Sequence, residues 1–401
     1  MVLKTLEYKT KAMLWGGDFI NGIRRDLVAA LILLYFILLG HDVLAVTMMF
    51  AVSRLLLMLF EFPAGTFADN YSRKKSVIIS FSLMAIAFLG IFIFKNFWYL
   101  SIFYIMHDVA WAFQSGKATA WAVDNLGYGT NKNKLTSLFA RLHMFERMGA
   151  VVGGLIGLII VSINFRFIWL FIAVLNLFWA INISFMTKEE NFHPEKNNHH
   201  FIKKIFLQIK KSYSHIMQKK NKQIKGLISS GFVLCVAFDA FMITIPLIFF
   251  QIFGISTEKI PVLFSIMAFF ALFSTFMAEK TAHRWGYRKP LFFGFLGMGL
   301  AMIVFAISKS IILSVVSLTF MHFLEIAFAG VVFNSKFQLV IPSKLRATLG
   351  STMSVVWSLA SAVGFALAGI GIKLIGLSNT AVASGLVAII AGAICLVSLE
   401  D

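Results

Sequence analysis

The chain has 401 residues, 59% of them hydrophobic and 13% charged, with a mean hydropathy of +0.85. No water-soluble core of this length needs so much apolar side chain, so the composition excludes a soluble domain and predicts an integral membrane protein. The formal charge of +18 marks membrane topology rather than nucleic-acid binding, because Lys and Arg fall almost entirely in short segments between apolar runs.

Apolar runs long enough for a helix to cross a bilayer recur twelve times. They lie near residues 12–39, 44–67, 76–94, 97–122, 136–161, 165–186, 226–250, 260–279, 290–308, 311–335, 347–374 and 380–399. The segment ahead of them, Met1–Lys11, is polar and basic and lacks a cleavage site after a short apolar core, so no removable signal peptide is expected. Loops on one side carry Arg73 to Lys75, Lys132, Lys134, the 188–225 segment, Lys280 to Lys289, Lys336, Lys344 and Arg346. The other side has mainly Lys95, Arg166, Lys259 and Lys309, which predicts a multi-pass protein of the inner (plasma) membrane with both termini cytoplasmic.

The first span is the most polar. Its clean apolar part, Leu27 to Leu39, would cover only about 20 Å of a hydrocarbon core of roughly 30 Å. The helix must therefore extend back through Asp18, Asn21, Arg24, Arg25 and Asp26. At helical spacing Asp18, Asn21 and Arg25 share one face, Arg24 points elsewhere and Asp26 flanks the group. Intramembrane charge costs at least ~2.5 kcal/mol per group, so these residues are expected to pair or to line a wet cavity.

Between the second and third spans the chain reads Glu61-Phe-Pro-Ala-Gly-Thr-Phe-Ala-Asp69-Asn-Tyr-Ser-Arg73-Lys-Lys-Ser76. Gly65 would let two helices approach closely, Pro63 would weaken the last turn before it, and Asp69 would face an exposed helix N-terminus. Gly65, Ala68, Asp69, Ser72, Arg73 and Lys74 fill in register the Gly-x-x-Ala-Asp-x-x-(Gly/Ser)-Arg-Lys pattern of the major facilitator superfamily. With Glu61 and Pro63 ahead of it, the turn resembles that of the bacterial permeases and exporters of that family. The resemblance implies an all-α membrane protein of twelve transmembrane helices in two six-helix pseudo-symmetric bundles. It also implies a central path lined by spans 1, 4, 7 and 10.

Span 4 carries His107, Asp108, Gln114 and Lys117. Asp124 follows Ser115-Gly116 and Ala120-Trp121, a run similar to one in related bacterial transporters, and the resemblance implies a cytoplasmic gate of Gly65, Asp69, Arg73 and Asp124. Arg54 in span 2 and Arg141, His143, Glu146 and Arg147 in span 5 need partners, and Glu146 lies within one turn of His143 and Arg147. Gly149, Gly153, Gly154 and Gly157 permit close helix contact. The proline that drug antiporters carry in this glycine series is absent.

Residues 187–225 are expected to link a first bundle, 1–186, to a second, 226–401. From Phe201 the linker turns amphipathic, with Ile202, Ile205, Phe206, Ile209, Tyr213, Ile216 and Met217 at helical spacing among lysines, the pattern of a strap on the inner leaflet. His199-His200 has no further ligand at metal-binding spacing.

The second half repeats the first at an offset of 214 positions, which pairs Gly40 with Gly254, Asp69 with His283, Arg25 with Asp239 and Asp108 with His322. The copy around Ala282 to Lys289 is degenerate, and His283 reads as an exposed loop residue. Span 10 holds His322 and Glu325 one helical turn apart, a proton-relay candidate, followed by Asn334. Cys235 and Cys395 fit no metal or redox spacing and read as small buried hydrophobes. Cavity candidates are thus Asp18, Asn21, Arg25, Asp26, His107, Asp108, Gln114, Asp239, His322 and Glu325.

These features predict a secondary active transporter that moves a small molecule by alternating access with protons as coupling ion, export of amphipathic compounds leading over uptake by symport. A lipid flippase and a non-transporting receptor or enzyme are the other readings. No nucleotide-binding Gly-x-x-x-x-Gly-Lys-(Ser/Thr) run occurs, and no enzymatic activity, cofactor, metal or nucleic-acid partner is expected of what should be a monomer in the lipid bilayer.

Overall fold

Without water to satisfy them, the N–H and C=O groups of a lipid-embedded segment must bond within it, so each apolar run becomes a helix. The computed structural model describes residues 2–115, 118, 121, 126, 132–186, 222–274, 277, 281, 284–340 and 346–400. Of these, residues 2–6, 132–137, 139–140, 338 and 346–352 are described by backbone alone.

The first six helices are α1 (Val2–Leu38), α2 (Val43–Asn70), α3 (Arg73–Ile93), α4 (Phe97–Gln114), α5 (Lys132–Ile163) and α6 (Phe167–Met186). The second six are α7 (Lys222–Leu247), α8 (Ile260–Ala271), α9 (Arg288–Ile307), α10 (Ile311–Leu324), α11 (Arg346–Ile375) and α12 (Leu377–Ser398). Helix α7 continues as a π-helix, Ile248–Ile252, and α10 as a π-helix, Glu325–Val332, before a last α segment, Phe333–Val340. Each predicted apolar run coincides with one helix. Among the described residues nine helices are long and apolar enough to cross a membrane, while α8 is a shorter apolar helix of 12 residues. Leu59, Ile159, Phe178 and Ile312 are exposed, the surface that a bilayer requires.

Local signals set the ends. Gly40 (φ 87) follows α1 and Gly254 (φ 64) follows the π extension of α7, so the paired glycines both hold the left-handed conformation that stops a helix. Asn96 Oδ1 accepts from Trp98 N at 3.0 Å at the start of α4, and Ser310 Oγ from Leu313 N at 3.4 Å at the start of α10. The two caps are again 214 positions apart.

Packing repeats as well. Within the first six helices α1 packs on α5 and α6, α3 on α4 and α6, and α5 on α6; each pair recurs six helices later as α7 on α11 and α12, α9 on α10 and α12, and α11 on α12. Small residues make the closest crossings. A Cβ on Gly22 would lie 1.9 Å from Glu146 O, one on Gly149 2.0 Å from Phe19 O, and one on Gly364 2.7 Å from Val236 O. The α1–α5 contact is therefore backbone against backbone.

Grouped by compactness, the chain forms two units: Met1–His41, Val52–Asn197 and Ser256–Ser265 in one, Asp42–Ala51, Asn198–Ile255 and Ile266–Asp401 in the other. The start of α2 thus belongs to the second unit, where the Phe50 and Phe365 rings sit 5.8 Å apart, and a Cβ on Gly369 would meet Thr47 Oγ1 at 1.9 Å. The start of α8 belongs to the first, where Ser265 Oγ donates to Val151 O at 2.9 Å. The linker strap of 201–220, His283 and the candidate Asp124 lie outside the described residues.

Gly22→Val and Gly149→Val should each lower stability by about 1–3 kcal/mol through overpacking. Gly65→Ala, where a Cβ meets no atom of the described residues within 4 Å, should be neutral or mildly stabilising. Melting temperatures of the detergent-purified variants check both, and an unchanged Gly22→Val would contradict the packing.

Candidate functional site

In the first unit the polar residues of α1, α2 and α4 meet in one buried network. Asp108 Oδ2 accepts from Ser53 Oγ at 2.6 Å and lies 3.7 Å from Arg54 Nε. Arg24 Nη1 donates to His107 Nε2 at 2.5 Å, and its Nη2 reaches Asn21 Oδ1 at 3.3 Å. An arginine only donates, so Nε2 accepts and the His107 ring carries its proton on Nδ1. That nitrogen lies 3.3 Å from Asp108 Oδ1 but outside hydrogen-bond geometry, so the contact is electrostatic. The Arg24 guanidinium also lies over the Trp111 ring, 5.4 Å from its centroid.

This corrects the helical-wheel reading of α1. Arg24 reaches α4, and Arg25 turns instead to α5, with Nη1 2.5 Å from Glu146 Oε1 and Nε 3.5 Å from Asp26 Oδ1. Asn21 sits between the two directions, and an i, i+3 partner is as reachable from it as an i, i+4 one. The sequence carried no signal to choose between them, since the choice depends on where α4 and α5 stand. Asp18 lies one turn before Asn21 and interacts with its side chain. It lines a small pocket with Gln114, Lys74, Trp121 and Trp179, with room for about one water.

The second unit holds a larger cavity of about 230 Å³, lined by Gly231, Leu234, Cys235, Phe238, Met298, Glu325, Ala329, Gly330, Phe333, Asn334 and Trp357. Glu325 begins the π-helix of α10, and its Oε2 is 3.5 Å from His322 Nδ1. π-Bulges are frequent at functional sites, because the extra residue per turn leaves a carbonyl and a side chain re-aimed. Cys235, expected to be a buried hydrophobe, lies half-buried on this cavity, with Sγ 3.3 Å from Asp239 Oδ2 and 3.6 Å from Ser361 Oγ. Phe238 and Trp357 were not anticipated. At the 214 offset Phe238 answers to Arg24 and Glu325 to Trp111, so the two units keep the positions and exchange the chemistry.

At the cytoplasmic turn Arg73 Nη2 lies 3.5 Å from Asp69 Oδ1. The cap of α3 comes from Ser72, whose Oγ accepts from Lys75 N at 2.9 Å, while Asp69 stands in the last turn of α2. Helix α2 runs through Pro63 to Asn70 rather than ending there, and among the described residues no atom lies within 4 Å of a Cβ built on Gly65. Lys74 Nζ donates to Ser184 O at 3.1 Å near the end of α6; its counterpart Arg288 donates from Nε to Leu396 O at 2.7 Å near the end of α12. A basic side chain on the last carbonyls complements the negative end of the helix dipole. The degenerate second motif has therefore kept this structural part of the first.

Among the described residues no three His, Cys, Asp or Glu side chains are grouped to hold a metal ion. Asp108→Asn should destabilise the protein by about 3–5 kcal/mol, since it takes the acid from Arg54 inside a buried network, and Ser53→Ala by about 1 kcal/mol. Thermal denaturation of both variants checks the ranking; equal losses would mean that Asp108 is not the anchor.

A sequence profile described as Major Facilitator Superfamily matches residues 14–365 and 227–401. The uncharacterized MFS-type transporter YxaM of Bacillus subtilis (strain 168) is 27% identical over 241 residues, 57% of this chain and 56% of the relative, so the match spans little more than half of either protein. A point mutant of the nucleoside transporter NupG superposes with a TM-score of 0.80 at 11% identity, over 98% of this chain and 100% of that one. A D-xylose-proton symporter superposes with a TM-score of 0.70 at 14% identity, over 100% and 98%. At such identities the structural likeness concerns the fold alone. Repeated helix pairs, a motif-bearing turn between α2 and α3, and a profile match along the length lead to one assignment: the chain belongs to the Major Facilitator Superfamily.

Proposed function

We propose that this protein is a secondary active transporter that moves a small molecule across the inner membrane by alternating access, coupled to protons. The observation that carries the coupling is the His322–Glu325 pair, 3.5 Å apart, where α10 widens into a π-helix and Glu325 meets the cavity of the second unit. An acid and an imidazole in contact share a proton easily, and placement on a cavity wall gives that proton a route to water. In this reading His322 and Glu325 bind and release the coupling proton, Asp239 and Cys235 belong to the same cavity wall, and Asp18 with Gln114 forms a second wet point in the first unit. Asp69 and Arg73, with Asp124, form the cytoplasmic gate, and both termini are cytoplasmic.

Export of an amphipathic compound follows from the resemblance of the α2–α3 turn to that of exporters. Uptake by symport is the second reading, favoured by the glycine series of α5, which has no proline where drug antiporters carry one.

Glu325→Gln in reconstituted vesicles should abolish uphill transport driven by a pH gradient and leave exchange at equal pH largely intact. A merely structural pair would lose both activities together, along with thermal stability, and that result would overturn the assignment. For the gate, Asp69→Asn should raise labelling of single cysteines placed along the cytoplasmic half of α1; unchanged labelling would contradict the role.

A further inference from the structure

Arg24 has an unmet electrostatic need. Its residue is 4% exposed. Among the described residues no acid oxygen lies within 4.0 Å of its guanidinium nitrogens. Among the described residues its guanidinium bonds to neutral acceptors, His107 Nε2 at 2.5 Å and Asn21 Oδ1 at 3.3 Å, and its buried Nε finds no hydrogen-bond partner. The neighbouring acids are committed. Asp108 serves Ser53 and Arg54, while Asp26 and Glu146 serve Arg25. Asp18, six residues earlier on α1, belongs to the separate pocket with Gln114. The Trp111 face at 5.4 Å offsets only part of the cost of burying the charge.

Asp108 and Glu146 act on Arg24 only from beyond ion-pair distance, and a buried guanidinium without a contacting anion is among the costlier arrangements in a membrane. An arginine offers a carboxylate two parallel N–H donors, and here Nε is unused and Nη2 is held only by a long bond to an amide. His107 and Asn21 fix the fork in place. Trp111 lies against it and is itself only partly buried.

We propose that Arg24 is the anion-binding residue of the transport site and that the substrate is a small organic molecule bearing a carboxylate, its apolar part lying against Trp111. This deepens the transporter reading and rests on it for the word substrate, while the anion site itself stands on the geometry of α1 and α4. Arg24 is the residue that reads charge, and Asn21 and His107 are positioning residues.

The test uses the full-length protein in vesicles or nanodiscs of phosphatidylcholine, with thermal stability read against sodium benzoate, sodium acetate, inorganic phosphate, glucose and choline. Benzoate should raise the melting temperature saturably and at lower concentration than acetate, with glucose and choline inert. Arg24→Lys should weaken the benzoate midpoint roughly tenfold or more, and Arg24→Gln should remove it. If Arg24→Gln does not fold, Trp111→Leu carries the test, weakening benzoate more than acetate.

No shift with any anion, an unaltered midpoint in Arg24→Lys, or a response only to added phosphatidylglycerol would each overturn the proposal, the last by assigning the charge to lipid. Counterflow in the same vesicles separates the two readings. Exchange of glucose or choline with no carboxylate effect ends the anion site and keeps the transporter; carboxylate stabilisation without carboxylate exchange keeps the site and ends the transporter.

Discussion

A charge within hydrocarbon must find an opposite charge, a dipole or water, and the first six helices are arranged to meet that demand. Arg25 is answered by Glu146 across α1 and α5, Arg54 by Asp108 across α2 and α4, and Arg24 by neutral donor-acceptor groups on α1 and α4. Those contacts need the helices within side-chain reach, which the glycines of α1 and α5 allow by bringing backbone onto backbone. Packing and electrostatics are thus one constraint here. A wider α1–α5 crossing would loosen the Arg25–Glu146 contact and turn α1 away from α4.

The second six helices solve the same packing problem with other chemistry. The helix pairs, the positive-φ glycines after the first and seventh helices, the side-chain caps of α4 and α10 and the basic residues on the ends of α6 and α12 are all retained. What changes is the polar content. Where the first unit puts an arginine and a tryptophan, the second puts Phe238 and Glu325 on a cavity wall. The scaffold is thus repeated while its polar groups are not.

The π-helix at Glu325 is where scaffold and function meet. A tighter α-helix would place residues 325–332 in register with the rest of α10, whereas the wider turn re-aims Glu325 and Gly330 to the cavity that Cys235 and Trp357 also line. His322 remains on the regular part of the helix, one turn earlier, so the pair spans the transition.

Sequence alone was enough for the all-helical fold: a helix stands in each apolar run, nine of them among the described residues long and apolar enough to cross a membrane, because a bilayer leaves a chain few other ways to satisfy its backbone. The 214-residue offset found the repeat, and the spacing of Gly65, Asp69 and Arg73 pointed to the family. The direction in which each charge turns was left to tertiary structure. Asp18, Asn21, Arg24 and Arg25 lie within two turns, where helical periodicity separates neighbours by about 100° yet long side chains reach across that angle. Only the positions of α4 and α5 decide that Arg24 meets His107 while Arg25 meets Glu146. The cap of α3 by Ser72 rather than Asp69, the passage of α2 through Pro63 and the place of Cys235 on a cavity wall were hidden for the same reason. Each depends on what stands opposite the residue, and a sequence records only what stands beside it.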